Sequence, residues 1–381
     1  MNTDFDSIRC YTDDEVHDAL DRLCSEKQFM KVVSTVYPLL PKEEIKKRLS
    51  SFNTQYDFQK GFIYPFLQNL EANLTKGIDL VGIENIDTAM PYLYISNHRD
   101  IILDSAFLCA KLIERGLNTV EIAIGDNLLV FPWIEELVKV NNSFVVRRGL
   151  SARQILESSQ RLSAYIAYTI SEKQQSIWLA QREGRAKDAN DRTQESLLKM
   201  LNMSGTADVA TNLAALNICP VSISYEYDPC DYLKAREFQL KRDNPDFKKQ
   251  PQDDLISMQT GVMGYKGKVV YTVTGDINSE LQMISSENLS KSEVFGRIAT
   301  LIDKRIHANY CIFTINKIAF DLLNGGNRFE KEYSVMEKLD FERYLEKQLQ
   351  KISIENKDDN FLMKKMLEMY SNPLINHLQA L

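Results

Sequence analysis

The chain has 381 residues, enough for one large domain with additions or for two domains. Its 46 Lys and Arg stand against 53 Asp and Glu, a formal net charge of −7, which gives no support to general nucleic-acid binding. The six cysteines (Cys10, Cys24, Cys109, Cys219, Cys230 and Cys311) include no CxxC pair and no nearby histidine at zinc-ligand spacing, so free thiols are expected and no metal site.

The first twenty residues, MNTDFDSIRCYTDDEVHDAL, are acidic and lack the apolar core of a signal peptide. A cytoplasmic location is therefore expected. No run of about 18 apolar residues occurs, so no membrane span is expected, and membrane contact would be peripheral. Residues 1–75 read as helical: Val16, Leu20, Leu23, Met30 and Val33 recur at three- and four-residue spacing, with Thr12 or Asp13 as the cap. The aromatic stretch GFIYPFLQNL reads as a buried helix or an interfacial one.

The pattern changes at residue 77. GIDLVGIENI, YLYISN, VEIAIGD, NSFVVRRG, SIWLAQREGR, NICPVSISYEY and KGKVVYTVTGDI read as strands. Helical stretches alternate with them, among them ILDSAFLCAKLIERG, FPWIEELVKV and SARQILESSQRLSAYIAYTISEKQ. Alternation of this kind predicts an α/β fold with a mixed, largely parallel sheet flanked by helices. The predicted organisation is a helical N-terminal region at 1–75, an α/β catalytic domain at 76–285 and a mostly helical region at 286–381.

The stretch YISNHRDIILDSAF carries one of only four histidines. A kinase catalytic loop would need Asn as the eighth residue counted from His98 as the first, where this chain has Ser105, and no glycine-rich loop or DFG accompanies it. Asp100 is a candidate N-cap for the helix that follows. A histidine at a strand end can also take the proton of a hydroxyl attacking a thioester, if a carboxylate fixes its tautomer. Asp104 and Asp100 are the two candidates for that carboxylate. His17, His307 and His377 have no motif context and read as structural. Phe131, Pro132 and Trp133 read as core residues or as the lining of an acyl tunnel or membrane-facing lip.

Four blocks, in order, resemble the glycerolipid acyltransferases. GIDLVGIENIDTAMPYLYISNHRDIILD resembles the opening strands and His-x4-Asp block, SFVVRRG the second block, IWLAQREGRAKD the Glu-Gly-x-Arg block, and ICPVSISYEY the fourth, where a proline opens a strand. One departure stands out. Leu103 occupies the fifth place after His98, and Asp104 is the sixth. Neither spacing returns to the same face of a continuous helix, so His98 must lie outside the helix.

The resemblance implies transfer of an acyl group from acyl-CoA or acyl carrier protein to a hydroxyl of glycerol 3-phosphate or its 1-acyl derivative, in phospholipid synthesis. It implies His98 as general base and Asp104 as its orienting carboxylate, with Asp100 the open alternative. Arg147, Arg148, Arg185 and Lys187 would hold the acceptor's phosphate, Glu183 and Gly184 would shape its site, and Pro220 would form a wall. Lys187 and Arg192 would add positive charge. No metal or tightly bound cofactor is required. Two other readings remain: an acceptor without phosphate, such as an amine or amino-acid lipid, and a catalytically silent homologue that binds lipid or a partner.

Overall fold

A computed structural model of the chain describes residues 5–381. It opens with α1 (Asp13–Ser25), α2 (Lys27–Val36), α3 (Lys42–Leu49), α4 (Gln55–Phe58) and α5 (Tyr64–Leu74), with a π-helical turn at Gln59–Ile63. Thr12 is the N-cap of α1, and the Glu15 carboxylate accepts its backbone N–H at 2.7 Å. The expected apolar spacing produces the expected face: Val16, Leu20, Leu23, Met30 and Val33 are buried in one cluster with Ile45, Leu49 and Phe58. In GFIYPFLQNL, Phe62, Leu67 and Leu70 are buried, so this stretch packs inward.

The strands are β1 (Ile78–Val81), β2 (Leu93–Ser96), β3 (Glu121–Gly125), β4 (Ser143–Val146), β5 (Ile177–Ala180), β6 (Ile218–Tyr225) and β7 (Val269–Val273). Among the described residues they form one sheet in the order β1-β7-β6-β2-β5-β3-β4. β6, β2, β5, β3 and β4 run parallel; β7 is antiparallel to β6 and carries β1 parallel to itself. The parallel crossovers are made by α6 (Leu103–Glu114) after β2, α7 (Pro132–Val140) after β3 and α8 (Ala152–Ser171) after β4. Between β5 and β6 lie α9 (Glu195–Leu201) and α10 (Val209–Ala214).

Side chains alternate across the sheet, as strand geometry requires. Leu93, Ile95, Ile177 and Leu179 pack on one face against Leu162 and Ile166 of α8. Tyr94 and Trp178 pack on the other with Leu103, Phe107 and Leu112 of α6. β6 is joined to β7 by α11 (Asp231–Asp243) and α12 (Pro251–Met263), a helical pair with no counterpart among the expected elements. The chain ends in α13 (Asn278–Ser286), α14 (Lys291–Ala308), α15 (Thr314–Asn324), α16 (Val335–Gln350) and α17 (Asp359–Ala380). Ile298, Ile302 and Ile306 of α14 join the sheet's core, whereas α15 to α17 share a separate cluster that takes in Ala235 of α11. Among the described residues no helix is long and apolar enough to cross a membrane.

Candidate active site

The parallel strands end at one edge of the sheet, and ligands of open α/β sheets gather at such an edge. β2 delivers His98 there. The Asn97 side chain extends the strand pairing: its amide donates to the Ile223 carbonyl and its oxygen accepts the Ile223 N–H, both at 2.8 Å. His98 then lies in a non-helical turn, because α6 begins only at Leu103. Asp100 forms the helix start, with Oδ1 accepting the N–H groups of Ile102 and Leu103 at 2.9 and 2.8 Å.

Asp104, in the first turn of α6, faces the histidine. Its Oδ2 lies 2.8 Å from His98 Nδ1 and also accepts the backbone N–H of Arg99 at 2.6 Å and of Asp100 at 3.0 Å. The N-terminus of a helix favours a carboxylate. With Nδ1–H donated to Asp104, the neutral imidazole carries its lone pair on Nε2. The Asp104 side chain is 1 % exposed and that of His98 13 %, so the carboxylate is sealed and the ring keeps an opening to solvent. Trp178 meets the imidazole edge-on at 5.8 Å, and its indole N–H donates to Ser96 Oγ at 3.0 Å. Of the two candidate carboxylates, the structure places Asp104 on the ring and Asp100 on the helix cap.

β5 delivers the Glu-Gly-x-Arg loop beside this turn. Gly184 has φ +66°, a left-handed conformation that glycine adopts without strain. Arg185 follows and is buried, and its Nη1 has no hydrogen-bond partner. Lys187 pairs with Glu237 of α11 at 3.2 Å. Burial, together with Arg185, pushes the Lys187 ammonium down to about 8. Both residues line a shallow cleft whose other walls are α11, α12 and the segment between them.

Arg147 and Arg148 are not in that cleft. Arg147 donates to the Ser7 carbonyl at 3.2 Å, and Arg148 binds Glu183 at 3.1 Å. The four expected phosphate ligands therefore divide into two places, because β4 is the edge strand and β5 lies inside the sheet. Pro220 is also not a wall of the cleft. It sits inside β6 level with Ile95, below the strand ends, and its carbonyl accepts from Thr274. Arg192 turns away to His307 Nδ1 and Asn376 Oδ1, at 3.1 and 2.9 Å. Phe131 stacks on Trp133, which packs against the N-terminal helices.

Three residues near the turn escaped the sequence reading. Arg99, buried, lies 3.6 Å from Asp228 Oδ2. Lys234 of α11 also binds Asp228 and donates to the Arg99 carbonyl at 3.3 Å. Burial acts to raise the Asp228 carboxyl, but Lys234 and Arg99 hold it below the ordinary range. No spacing ties Lys234 to His98, 136 positions away in the chain. Asp228 is the residue immediately after the predicted strand NICPVSISYEY, where nothing marks a turn toward the histidine.

Residues 77–224 match the Acyltransferase family model. Among solved structures, the 1-acyl-sn-glycerophosphate (LPA) acyltransferase PlsC of Thermotoga maritima aligns over 76 % of this chain and 97 % of that one, at 12 % identity and a TM-score of 0.38. Comparison with curated protein sequences finds no match.

Proposed function

We propose, from the premise that residues 77–224 belong to the acyltransferase family, that this protein transfers a fatty acyl group from a thioester of coenzyme A or acyl carrier protein to a hydroxyl of glycerol 3-phosphate or its 1-acyl derivative. The observation that carries this reading is the His98 Nδ1–Asp104 Oδ2 contact of 2.8 Å at the open edge of the sheet. It leaves Nε2 free to accept a proton.

His98 Nε2 takes the proton as the acceptor's hydroxyl oxygen bonds to the thioester carbonyl carbon. The tetrahedral oxyanion collapses, the C–S bond breaks, and the imidazolium returns the proton to the leaving sulfur. Asp104 fixes the tautomer and stabilises the imidazolium without itself taking the proton. Arg185 and Lys187 hold the acceptor's phosphate, for which a guanidinium and an ammonium are suited. Arg148 acts through Glu183, steadying the loop that carries Arg185 and Lys187. Peripheral contact with a membrane would bring an acyl acceptor to the sheet edge.

The test is an acyl-transfer assay on purified protein. Labelled palmitoyl-CoA or palmitoyl carrier protein is offered with glycerol 3-phosphate, its 1-acyl derivative or a phosphate-free acceptor. Product is expected with a phosphate-bearing acceptor and is expected to disappear in His98→Ala. Product only with the phosphate-free acceptor, or undiminished product from His98→Ala, contradicts the reading.

A further inference from the structure

The turn that carries His98 is held from two sides, and one of them lies beyond the residues matched by the family model, which stop inside β6. On the near side, Asp104 Oδ2 accepts the backbone N–H of Asp100 at 3.0 Å and meets His98 Nδ1 at 2.8 Å. On the far side, Lys234 Nζ of α11 donates to the Arg99 carbonyl at 3.3 Å. That carbonyl and the Asp100 N–H belong to one peptide group. In a trans peptide the two point in opposite directions. One plane is thus gripped at both ends, by Lys234 through its oxygen and by Asp104 through its nitrogen. An ammonium on the carbonyl also polarises the peptide and strengthens the N–H it gives to Asp104.

Lys234 is itself fixed. Its side chain is 2 % exposed and pairs with the Asp228 carboxylate, 3 % exposed. Asp228 also lies 3.6 Å from the Arg99 guanidinium. The residue after His98 is therefore held by its N–H, its carbonyl and its side chain. The start of α11 is tied to the C-terminal helices: Tyr370 Oη accepts the Asp228 N–H at 3.2 Å, and Asp231 accepts from Tyr344 and Tyr370. α12 backs the turn as well, since a Cβ built on Gly261 would lie 2.0 Å from Asp100 Oδ2. A buried ion pair is a poor source of stability, because desolvating two charges offsets their attraction, and apolar residues of similar volume often serve as well. Apolar residues cannot supply a donor to the Arg99 carbonyl.

We propose that Lys234 is a positioning residue for acyl transfer, holding the His98–Asp104 pair in its reacting geometry through the Arg99–Asp100 peptide. The proposal rests on the acyl-transfer reading above and adds to it a group that acts through the turn. Asp228 serves the same grip by keeping the ammonium in place. Without Lys234 the peptide is free to rotate, Asp104 Oδ2 loses the alignment of an N–H that fixes it, and the imidazole drifts with the carboxylate. Lys234 also borders the cleft of Arg185 and Lys187. The loop that carries those two cations has its own supports, in Asp303 of α14 and Asn372 of α17. Loss of the grip is therefore expected in the rate of the bound complex and not in the binding of either substrate.

The test compares the full-length wild type with Lys234→Met and with the charge-balanced pair Lys234→Met and Asp228→Asn. The second variant leaves no buried carboxylate without its lysine, should the first fail to fold. Thermal midpoints establish that each protein is folded at the assay temperature. Steady-state kinetics with palmitoyl-CoA and glycerol 3-phosphate should show kcat lowered by about 10–10²-fold, as a misplacement on the order of 1 Å would cause. Both KM values should stay within about threefold. Proton NMR on protein with isotope-labelled histidine should show a far-downfield Nδ1–H resonance that His98→Ala removes, and the Lys234 variants should shift or broaden it. An unmoved resonance in a folded variant overturns the proposal, whatever the rate. So does an unchanged kcat, or a rise in the acceptor KM alone, which would assign Lys234 to the cleft. A wild type that transfers no acyl group defeats the acyl-transfer reading; the resonance then decides the positioning role, a displaced proton upholding it and an unmoved one overturning it.

Discussion

At His98 the sequence supplied the chemistry and withheld the pairing. A strand-end histidine with two aspartates nearby was legible, because residue types and the strand-to-helix change are local features. Which aspartate faces the ring was not, since residues 99–102 follow neither helical nor strand geometry and spacing cannot be converted into direction there. The structure divides the work by hydrogen bonding: Asp100 takes two N–H groups of the helix start, and Asp104 takes the ring. Arg185 was legible as a cation but not as a buried one, because REGRAKDANDR reads as a solvated loop. Gly261 is a residue whose importance no pattern signals. Gly261→Ala would drive a methyl into the Asp100 carboxylate. Overpacking of this kind costs about 1–3 kcal/mol. A lowered thermal midpoint with a larger loss of turnover than of stability is expected, measured by calorimetry and acyl-transfer rate on the same preparation; an unchanged midpoint would show that α12 gives way freely.

Among the elements, the strands were legible because their alternation and bounding turns are local, and each of the seven expected runs contains a strand. The burial of the loop after β5 was not legible, because its partners lie more than 100 residues away. Thr193 is held by Asp303 of α14 through its N–H and hydroxyl, both at 2.7 Å. From α17, Asn372 donates to the Asp188 carbonyl at 2.8 Å and Asn376 to Asn190 Oδ1 at 3.2 Å. His307 of α14 faces the Asp191 carbonyl through Nε2 at 3.1 Å, and burial with Arg192 pushes its imidazole down to about 4. It is thus neutral at ordinary pH, in keeping with a structural histidine. The C-terminal helices therefore fix the loop that carries Arg185 and Lys187. Asn372→Ala with Asn376→Ala removes three side-chain hydrogen bonds, the third being the one Asn376 Oδ1 accepts from Arg192, each contributing about 0.5–1.5 kcal/mol. The expected result is a modest fall in thermal midpoint with a severalfold rise in acceptor KM, read by differential scanning calorimetry and steady-state kinetics. A fall in midpoint with no change in KM would show that the grip serves stability alone.

Across the whole molecule, the α/β class followed from alternating elements, but the strand order did not, since crossovers leave no trace in local pattern. Residues 226–268 were the least legible part, and α11 within them joins two distant regions. Asp231, at the start of α11, accepts hydrogen bonds from Tyr344 and Gln348 of α16 and from Tyr370 of α17, at 2.7, 2.7 and 2.8 Å. Burial outweighs these donors and pushes the Asp231 carboxyl up to about 7. Its folded value exceeds its unfolded one, so as pH rises the unfolded chain loses this proton first. The contribution to stability is thus fully present below about pH 4 and is lost progressively toward pH 7. The thermal midpoint of the wild type should fall relative to Asp231→Asn over that window, by several degrees. Parallel midpoint curves for the two proteins would show that Asp231 stays ionised when buried.

The central claim is that His98 and Asp104 act as one unit, and the most direct measurement compares initial acyl-transfer rates of wild type, Asp104→Asn and Asp100→Asn under saturating donor and acceptor. Asp104→Asn should lower kcat by about 10²–10⁴-fold, because an amide neither fixes the same tautomer nor stabilises the imidazolium. Asp100→Asn should keep most of its turnover, since asparagine also caps helices. Loss of turnover in Asp100→Asn with retention in Asp104→Asn, both proteins being folded, would contradict the account.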